Sequence, residues 1–361
     1  MSYQSRGMGP KHALKRMASP LLDGLGLYER GLKRLKHGSG TWTILMYHRV
    51  IADRSEDPFG LGMCVRLHHF AAQLRYLQRD FEPISLPDAV ARLRRGEPLP
   101  PRALSITFDD GYLDNLELAY PLLKQHGMPW SLFIATGGLE QGEMLWWDRV
   151  IRAFALTGEG KLDTGVINLP LRQQQLPLDG AHRETSLQAV LGALWAMPIE
   201  AVMVCVAVME KVLLRAGASG GPRATRMRPD QIRQLGQEGV EIAAHTVRHP
   251  NLTLLGPGEA LRELQQSRRT VEAITGIPVI GFAYPGGRAN AEVADAVVQA
   301  GFDYAVGTVS GINTGPYELL ELTRVGMPDT GVADFKRALG KVVRRSFEPG
   351  AQLTTIHAPL Y

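Results

Sequence analysis

Two adjacent aspartates, Asp109 and Asp110, are the residues of this sequence whose types and position most directly suggest chemistry. They follow the apolar, β-branched run Leu104–Phe108, which is typical of a buried strand, and they precede Gly111. Parallel strands of α/β proteins present their last residues at the open end of the fold, where ligands bind. Two carboxylates there need a compensating charge, which a divalent metal would supply. The alternative is a plain Asp-Gly turn, and the pair alone favours neither reading.

Two histidines, His245 and His249, follow another apolar run that predicts a strand. Histidines four residues apart in a helical turn face the same way and can hold one ion, and imidazole suits Zn²⁺ and similar divalent metals. Asp110 would bring the number of protein ligands to three and leave a position open, as in catalytic metal sites. A lone pair of this spacing is usually incidental, but its place at a strand end favours a metal site.

A third strand-ending motif, Phe282–Gly287, contains two consecutive glycines. Gly286 and Gly287 let the backbone approach a ligand closely and direct N–H groups toward it. Taken alone, the motif is equally typical of an ordinary Pro-Gly turn.

Strand and helix patterns alternate with short connections along most of the chain, which indicates a parallel sheet or barrel. The predicted strands are 42–47, 104–108, 130–136, 240–245, 279–285, 304–308 and 322–327. The predicted helices are 67–79, 86–95, 113–126, 229–239, 259–275, 291–300 and 332–343.

The alternation stops between about residues 137 and 228, where the apolar pattern is helical and no strand-helix unit is found. We therefore predict a barrel over 41–345 with a mostly helical insertion at 138–227, a basic leader at 1–40 and a tail at 346–361. Trp146 and Trp147 open the first helix of the insertion and are interpreted either as a sugar-stacking platform or as buried anchors.

The formal net charge of +4 is concentrated at the N-terminus, where residues 1–40 hold eight basic and two acidic residues, leaving −2 for the remainder. This leader is compatible with contact to an anionic membrane surface, although a tail or a helix packed on the outside is the commoner role. The slightly acidic body disfavours nucleic acid. The two cysteines, Cys64 and Cys205, indicate no disulfide framework. Without a secretory signal we expect a cytoplasmic protein, either free or associated with a membrane.

Three motifs, in this order, resemble those of the polysaccharide deacetylase family of carbohydrate esterases. They are Thr107–Tyr112, His245–Pro250 and Phe282–Gly287. The resemblance extends from about Ile44 to Met327 and implies a distorted (β/α)₇ barrel with a bound divalent cation, most often zinc. It also implies hydrolytic removal of N-acetyl or O-acetyl groups from sugars.

Carried over position by position, the resemblance implies that Asp109 is the catalytic base and that Asp110, His245 and His249 bind the metal. Gly286 is the candidate for the backbone N–H that holds the oxyanion. A histidine is the usual proton donor to the leaving amine near neutral pH.

The chain departs from the commoner family pattern at two points. His357 is the only histidine near the C-terminus that could be the acid, and its surroundings match poorly, whereas the segment Leu45–Val50 is similar to the opening of the permuted branch of biofilm poly-N-acetylglucosamine deacetylases. We therefore predict His48 as the acid. Ala283 replaces the usual arginine of the third motif, and Arg324 is the candidate to orient Asp109 in its place.

Three functions fit these features. The leading one is a metal-dependent N-deacetylase acting on N-acetylhexosamine units of a polysaccharide or of a lipid-linked glycan precursor. The second is a deformylase of a lipid-linked amino sugar, suggested by the basic leader and the lack of an export signal. The third is a catalytically silent carbohydrate-binding module, against which the complete set Asp109, Asp110, His245 and His249 argues.

Overall fold

The structure is a computed structural model that describes residues 19, 21–37, 40–214, 220–222 and 225–348. Four of the eight basic residues of the predicted leader, and His357 in the predicted tail, lie outside the described residues. The division into leader, barrel, insertion and tail stays a prediction.

The strands of the described residues are β1 (Thr41–Tyr47), β2 (Arg49–Ile51), β3 (Cys64–Arg66), β4 (Glu82–Pro83), β5 (Ala103–Asp109), β6 (Trp130–Ile134), β7 (Lys161–Asp163), β8 (Gln175–Pro177), β9 (Glu241–Ala244), β10 (Gly281–Ala283), β11 (Tyr304–Val306), β12 (Asn313–Thr314) and β13 (Val325–Gly326). Among them, β1, β5, β6, β9, β10, β11 and β13 overlap the seven predicted strands, and the six other strands were not predicted.

The main helices also follow the predicted periodicity. They are α1 (Leu27–His37), α2 (Leu67–Asp80), α3 (Leu86–Arg94), α4 (Tyr120–Gln125), α5 (Trp146–Leu156), α6 (Arg183–Trp195), α7 (Ile199–Leu213), α8 (Pro229–Gln237), α9 (Pro257–Thr275), α10 (Ala291–Gln299) and α11 (Val332–Ser346). A π-helical turn over Asn115–Ala119 precedes α4, so the predicted helix 113–126 is not regular throughout.

Among the described residues the main sheet has nine strands. Seven of them are parallel neighbours in the order β13, β1, β5, β6, β9, β10 and β11, while β4 pairs with β5 and β12 pairs with β1. The three central strands β1, β5 and β6 are buried along their whole length. Strands covered on both faces must be apolar throughout, and this explains why they appear in the sequence as continuous apolar runs.

The segment before and within β13 brings the two edges of this sheet together. Leu322 forms a parallel bridge with Val306 of β11, and the N–H of Met327 donates to the carbonyl of Met46 in β1 at 3.1 Å. The sheet is therefore curled into a distorted barrel, which confirms the predicted fold class. Because the strands are parallel, all their carboxyl ends lie at one rim, where the three motifs meet.

The segment predicted as an insertion carries its own hydrophobic cluster, built mainly from α5, α6 and α7. The prediction of helices there is correct, but the antiparallel hairpin β7–β8 was not expected. Its strands are only three residues long, too short for an alternating pattern to be recognised.

The helix α1 packs against α11 on the outside of the barrel. Leu32 and Leu35 are fully buried, and a Cβ on Gly31 would lie 3.5 Å from the Cα of Gly340, so the two backbones approach closely. Among the described residues, no helix has the length and apolar character needed to cross a membrane.

A partly buried carboxyl inside the barrel gives a test of this packing. Glu241 accepts hydrogen bonds from Ser131 Oγ and Tyr304 Oη, each at 2.5 Å, and burial raises its pKa from 4.5 to about 7. A raised pKa means that the stabilisation is complete below pH 4.5 and is lost as the pH rises to about 7. The free energy of unfolding of the wild type should therefore fall between pH 5 and pH 8. The fall should be at most about 3 kcal/mol, because the carboxyl is partly exposed, and it should be smaller in Glu241→Gln.

Denaturant unfolding of both proteins at pH 5 and pH 8 measures the two losses of unfolding free energy. Glu117 is exposed, so the control Glu117→Gln should keep the wild-type pH dependence. Equal losses in wild type and Glu241→Gln would contradict the buried, protonated carboxyl.

Candidate metal centre and active site

The first motif changes backbone conformation at the end of β5. Asp109 is the last residue of the strand, and Asp110 and Gly111 follow with φ of 76° and 80°. The left-handed region is uncommon for residues other than glycine, and aspartate is one of the few that tolerate it. Such strain is typical of functional sites, and here it lets two consecutive carboxylates have different neighbours.

The second motif brings two histidines together by a mechanism that differs from the one expected. Residues 245–250 form an irregular turn, so the predicted helical spacing of His245 and His249 is wrong. Thr246 and His249 adopt φ of 65° and 54°, and the N–H of His249 donates to Thr246 Oγ1 at 3.1 Å. Glu263 of α9 accepts from the N–H groups of Val247 and Arg248 at 2.8 and 3.2 Å, which fixes the turn.

The structure brings Asp110, His245 and His249 into one cluster. Their ligand atoms all lie within 4.8 Å of one another, with Asp110 Oδ1 3.5 Å from His245 Nε2 and 3.7 Å from His249 Nε2. The three side chains are between 1% and 4% exposed. The predicted set of metal-ligating residues is therefore assembled at the carboxyl rim of the barrel.

The protonation chemistry of this cluster fits a cation. Within the part of the chain that the structure describes, neither carboxylate oxygen of Asp110 has a hydrogen-bond partner. Burial, followed by the charges of Asp109 and Asp148, raises the pKa of Asp110 well above its usual value, and burial lowers the pKa of both histidines. Buried, unpartnered acceptors are costly, and a divalent cation would satisfy all three ligands in their deprotonated forms.

The two histidines are oriented by different contacts. His245 Nδ1 lies 2.7 Å from the carbonyl of Ala283 in β10, so Nδ1 carries the proton and Nε2 is left as the ligand atom. In the described chain His249 Nδ1 has no such acceptor. The ring of His249 instead lies against Trp147, with ring centroids 4.4 Å apart, and against Trp195 at 5.4 Å.

The insertion supplies these two indoles and holds them in place. Trp147 Nε1 donates to Tyr112 Oη at 3.0 Å, and Tyr112 Oη donates to Asp148 Oδ2 at 2.9 Å. Trp146 stacks on Trp195 with ring centroids 5.8 Å apart. Trp146 and Trp147 are 4% and 0% exposed, so of the two predicted roles the structure selects buried anchors and excludes an open platform for sugars.

Asp109 is held by an arginine from the far end of the chain. Arg324 Nη1 and Nη2 donate to the two oxygens of Asp109 at 2.7 Å each, while Arg324 Nε donates to the carbonyl of Gly307 at 2.8 Å. Burial alone would raise the pKa of Asp109, but this bidentate pair holds the pKa below its usual value. Arg324, the sequence candidate to orient Asp109, therefore pairs with it, and this pair favours the ionised form of the carboxylate.

His48 and Gly286 lie beside these groups. His48 Nε2 is 4.0 Å from Asp109 Oδ2, and burial, opposed by the Asp109 charge, lowers the pKa of His48 to about 4. Gly286 has φ of 57°, and a Cβ there would overlap the ring of Trp195. Only glycine fits this position beneath the indole that also contacts His249.

Sequence reasoning missed Trp195, Tyr112 and Asp148 as parts of this site. Trp195 ends a helix of ordinary apolar composition, and the contact to His249 depends on how the insertion folds back onto the rim. No local pattern in the sequence carries that information.

The chain is similar to known proteins in both sequence and fold. The sequence profile of the family described as polysaccharide deacetylase matches residues 96–156 and 188–305. YxkH of Bacillus subtilis (strain 168) is 20% identical over 283 residues, covering 78% of this chain and 70% of that protein.

Two solved structures share the fold. The Streptococcus pyogenes deacetylase PplD, solved in complex with acetate, is 18% identical with a TM-score of 0.57, covering 85% of this chain and 99% of that chain. IcaB from Ammonifex degensii is 17% identical with a TM-score of 0.52, covering 85% and 98%.

The barrel and its rim thus define a hydrolase fold of the carbohydrate esterase type. The chain contains a polysaccharide deacetylase domain, as its three motifs indicated.

The first prediction for this site concerns metal binding itself. Adding Zn²⁺ to chelator-treated protein should raise its melting temperature, because a ligand that binds only the folded state stabilises it by about 2.7 kcal/mol at a hundredfold excess over Kd. Asp110→Ala should abolish the shift, and Asp295→Asn on the surface should retain it. A shift that persists in Asp110→Ala would place the ion elsewhere.

The second prediction concerns the aromatic contacts to His249. Tyr112→Phe removes the hydroxyl that joins Trp147 to Asp148, so His249 should be held less firmly and zinc affinity should fall about tenfold in a chelator competition assay. Tyr317→Phe removes another tyrosine hydroxyl, bonded to the carbonyl of Gly40, and should leave zinc affinity unchanged. An unchanged Kd in Tyr112→Phe would show that these aromatic contacts do not orient the ligand.

Proposed function

We propose that this protein removes N-acetyl groups from N-acetylhexosamine units of a polysaccharide or of a lipid-linked glycan precursor, using a divalent cation, Zn²⁺, held by Asp110, His245 and His249. The observation that carries the proposal is the ionised pair Asp109–Arg324 directly beside the cluster of three ligands. A binding module has no use for a buried, unligated base next to a metal site, which argues against the silent-module alternative.

Three groups of this chain have distinct tasks in amide hydrolysis. When bound, the cation supplies polarisation of the amide carbonyl and acidification of a water molecule. Asp109 accepts the proton of the attacking water while the new C–O bond forms, and the N–H of Gly286 donates to the carbonyl oxygen as it becomes negative. The C–N bond then breaks, and the products are acetate and a sugar amine that must receive a proton.

His48 is the donor of that proton. A pKa of about 4 leaves His48 neutral in the resting site, so its proton must come from within the reaction. Once Asp109 has taken a proton from water, it can pass that proton to His48, because Asp109 Oδ2 lies 4.0 Å from His48 Nε2. The pairing with Arg324 makes protonated Asp109 unstable and favours transfer onward to His48 and the amine.

An assay for acetate release tests this function directly. On acetylated glucosamine oligomers, Asp109→Asn and His48→Ala should each lower kcat by at least about a hundredfold, because each removes one proton-transfer group. Asp295→Asn, an exposed carboxylate on α10, is the matched control and should keep wild-type activity.

Formate release from N-formylated sugars is measured in parallel, because it distinguishes the deformylase alternative. No acetate release from any acetylated glycan by the zinc-loaded wild-type protein would overturn the proposal. Contact of the basic leader with a membrane and a cytoplasmic location stay predictions.

A further inference from the structure

A groove on the outside of the barrel lies apart from the metal ligands. It runs between α8, α9 and the loop that follows β6, and its volume is about 760 Å³. This volume is within the range of small-molecule sites, about 300–1,000 Å³.

Three arginines line the groove: Arg233 from α8, and Arg262 and Arg269 from α9. Among the described residues none of the three forms an ion pair with a carboxylate. The neighbouring Arg268, on a different face of α9, pairs with Glu272 at 3.0 Å and also donates to the carbonyl of Ala300. Arg233 Nε donates to the carbonyl of Ile274 at 2.8 Å, so the guanidinium groups of Arg262 and Arg269 are the main candidates in the groove to bind an external ligand.

The remaining lining suits a hydrogen-bond acceptor. The amides of Gln265 and Gln266 lie between the two arginines of α9, and Glu140 is the one carboxylate in the described lining. Guanidinium groups bind phosphate oxygens through paired N–H donors. Arg262 and Arg269 are seven residues apart, about 10.5 Å along the helix axis, so they match an extended anion better than a single small one.

One wall of the groove is bonded to the turn that carries the metal ligands. Thr136 lines the groove, and its N–H donates to the carbonyl of Thr246 at 3.0 Å. The N–H of the next residue, Gly137, donates to the carbonyl of Val247 at 2.8 Å. Thr246 and Val247 stand between His245 and His249. The groove and the proposed active site therefore share the loop after β6.

We propose that this groove binds phosphate groups esterified to the glycan substrate, so that a sugar on a phosphate or diphosphate carrier is held while its acetamido group is at the metal. This inference deepens the proposed function and rests on it. No local sequence pattern indicates the groove, because its arginines come from two helices separated by β9 and are interspersed with neutral and acidic residues.

Calorimetric titration with inorganic pyrophosphate tests the groove independently of catalysis. The double variant Arg262→Ala/Arg269→Ala should bind pyrophosphate at least about tenfold more weakly than wild type, whereas Arg75→Ala, an exposed arginine of α2, should not. Asp110→Ala separates binding at the groove from binding at a metal ion and should retain the affinity. Wild-type affinity in the double variant, an equal loss in Arg75→Ala, or loss of all binding in Asp110→Ala would overturn the assignment.

Kinetics on matched substrates then identify the carrier. The double variant should raise KM about tenfold on phosphate-linked N-acetylglucosamine and leave kcat/KM on neutral acetylated oligomers unchanged. A nucleotide diphosphate sugar and an isoprenyl diphosphate sugar are compared as substrates. The substrate whose KM rises in the double variant carries the phosphate groups that the groove binds. An unchanged KM on both overturns the inference, whereas inactivity of wild type on every substrate would instead count against the proposed function.

Discussion

The burial of two consecutive carboxylates is the constraint on which the rest of this structure depends. Asp109 and Asp110 are 2% and 1% exposed, and two adjacent buried charges of the same sign are unfavourable unless each is compensated. The chain compensates them differently. Asp109 is paired with Arg324 through two hydrogen bonds. In the described chain neither oxygen of Asp110 accepts a hydrogen bond, and its Oδ1 lies near the Nε2 atoms of His245 and His249. In the proposed function, this difference makes Asp109 the base and Asp110 a metal ligand.

The segment that closes the barrel also supplies the residue that distinguishes the surroundings of the two carboxylates. Arg324 stands between Leu322, which bridges to β11, and Val325, which pairs with β1, so the segment that joins the two sheet edges also delivers the guanidinium to Asp109. Removing one partner of a buried ion pair typically costs about 3–5 kcal/mol, because the other charge is left unpaired. The pair therefore ties the closing segment to the catalytic rim.

Much of this arrangement could be predicted from the sequence, because strand-ending motifs in parallel sheets converge on one rim whatever the loops between them do. Asp109, Asp110, His245 and His249 are predictable on that basis, whereas Arg324 is a candidate only through the family resemblance. The turn geometry of His249 could not be predicted, since two residues adopt left-handed conformations that their types only rarely favour. Trp195 and the arginine groove were also missed, because both depend on packing between elements distant in the sequence.

The most direct test of the account is anomalous diffraction at the zinc edge from crystals grown with Zn²⁺. The account predicts a single strong peak about 2.0–2.2 Å from one oxygen of Asp110 and from Nε2 of His245 and His249, with Asp109 still paired to Arg324. A peak bonded to Asp109, or a zinc ion bound away from these residues, would contradict the division of roles between the two carboxylates.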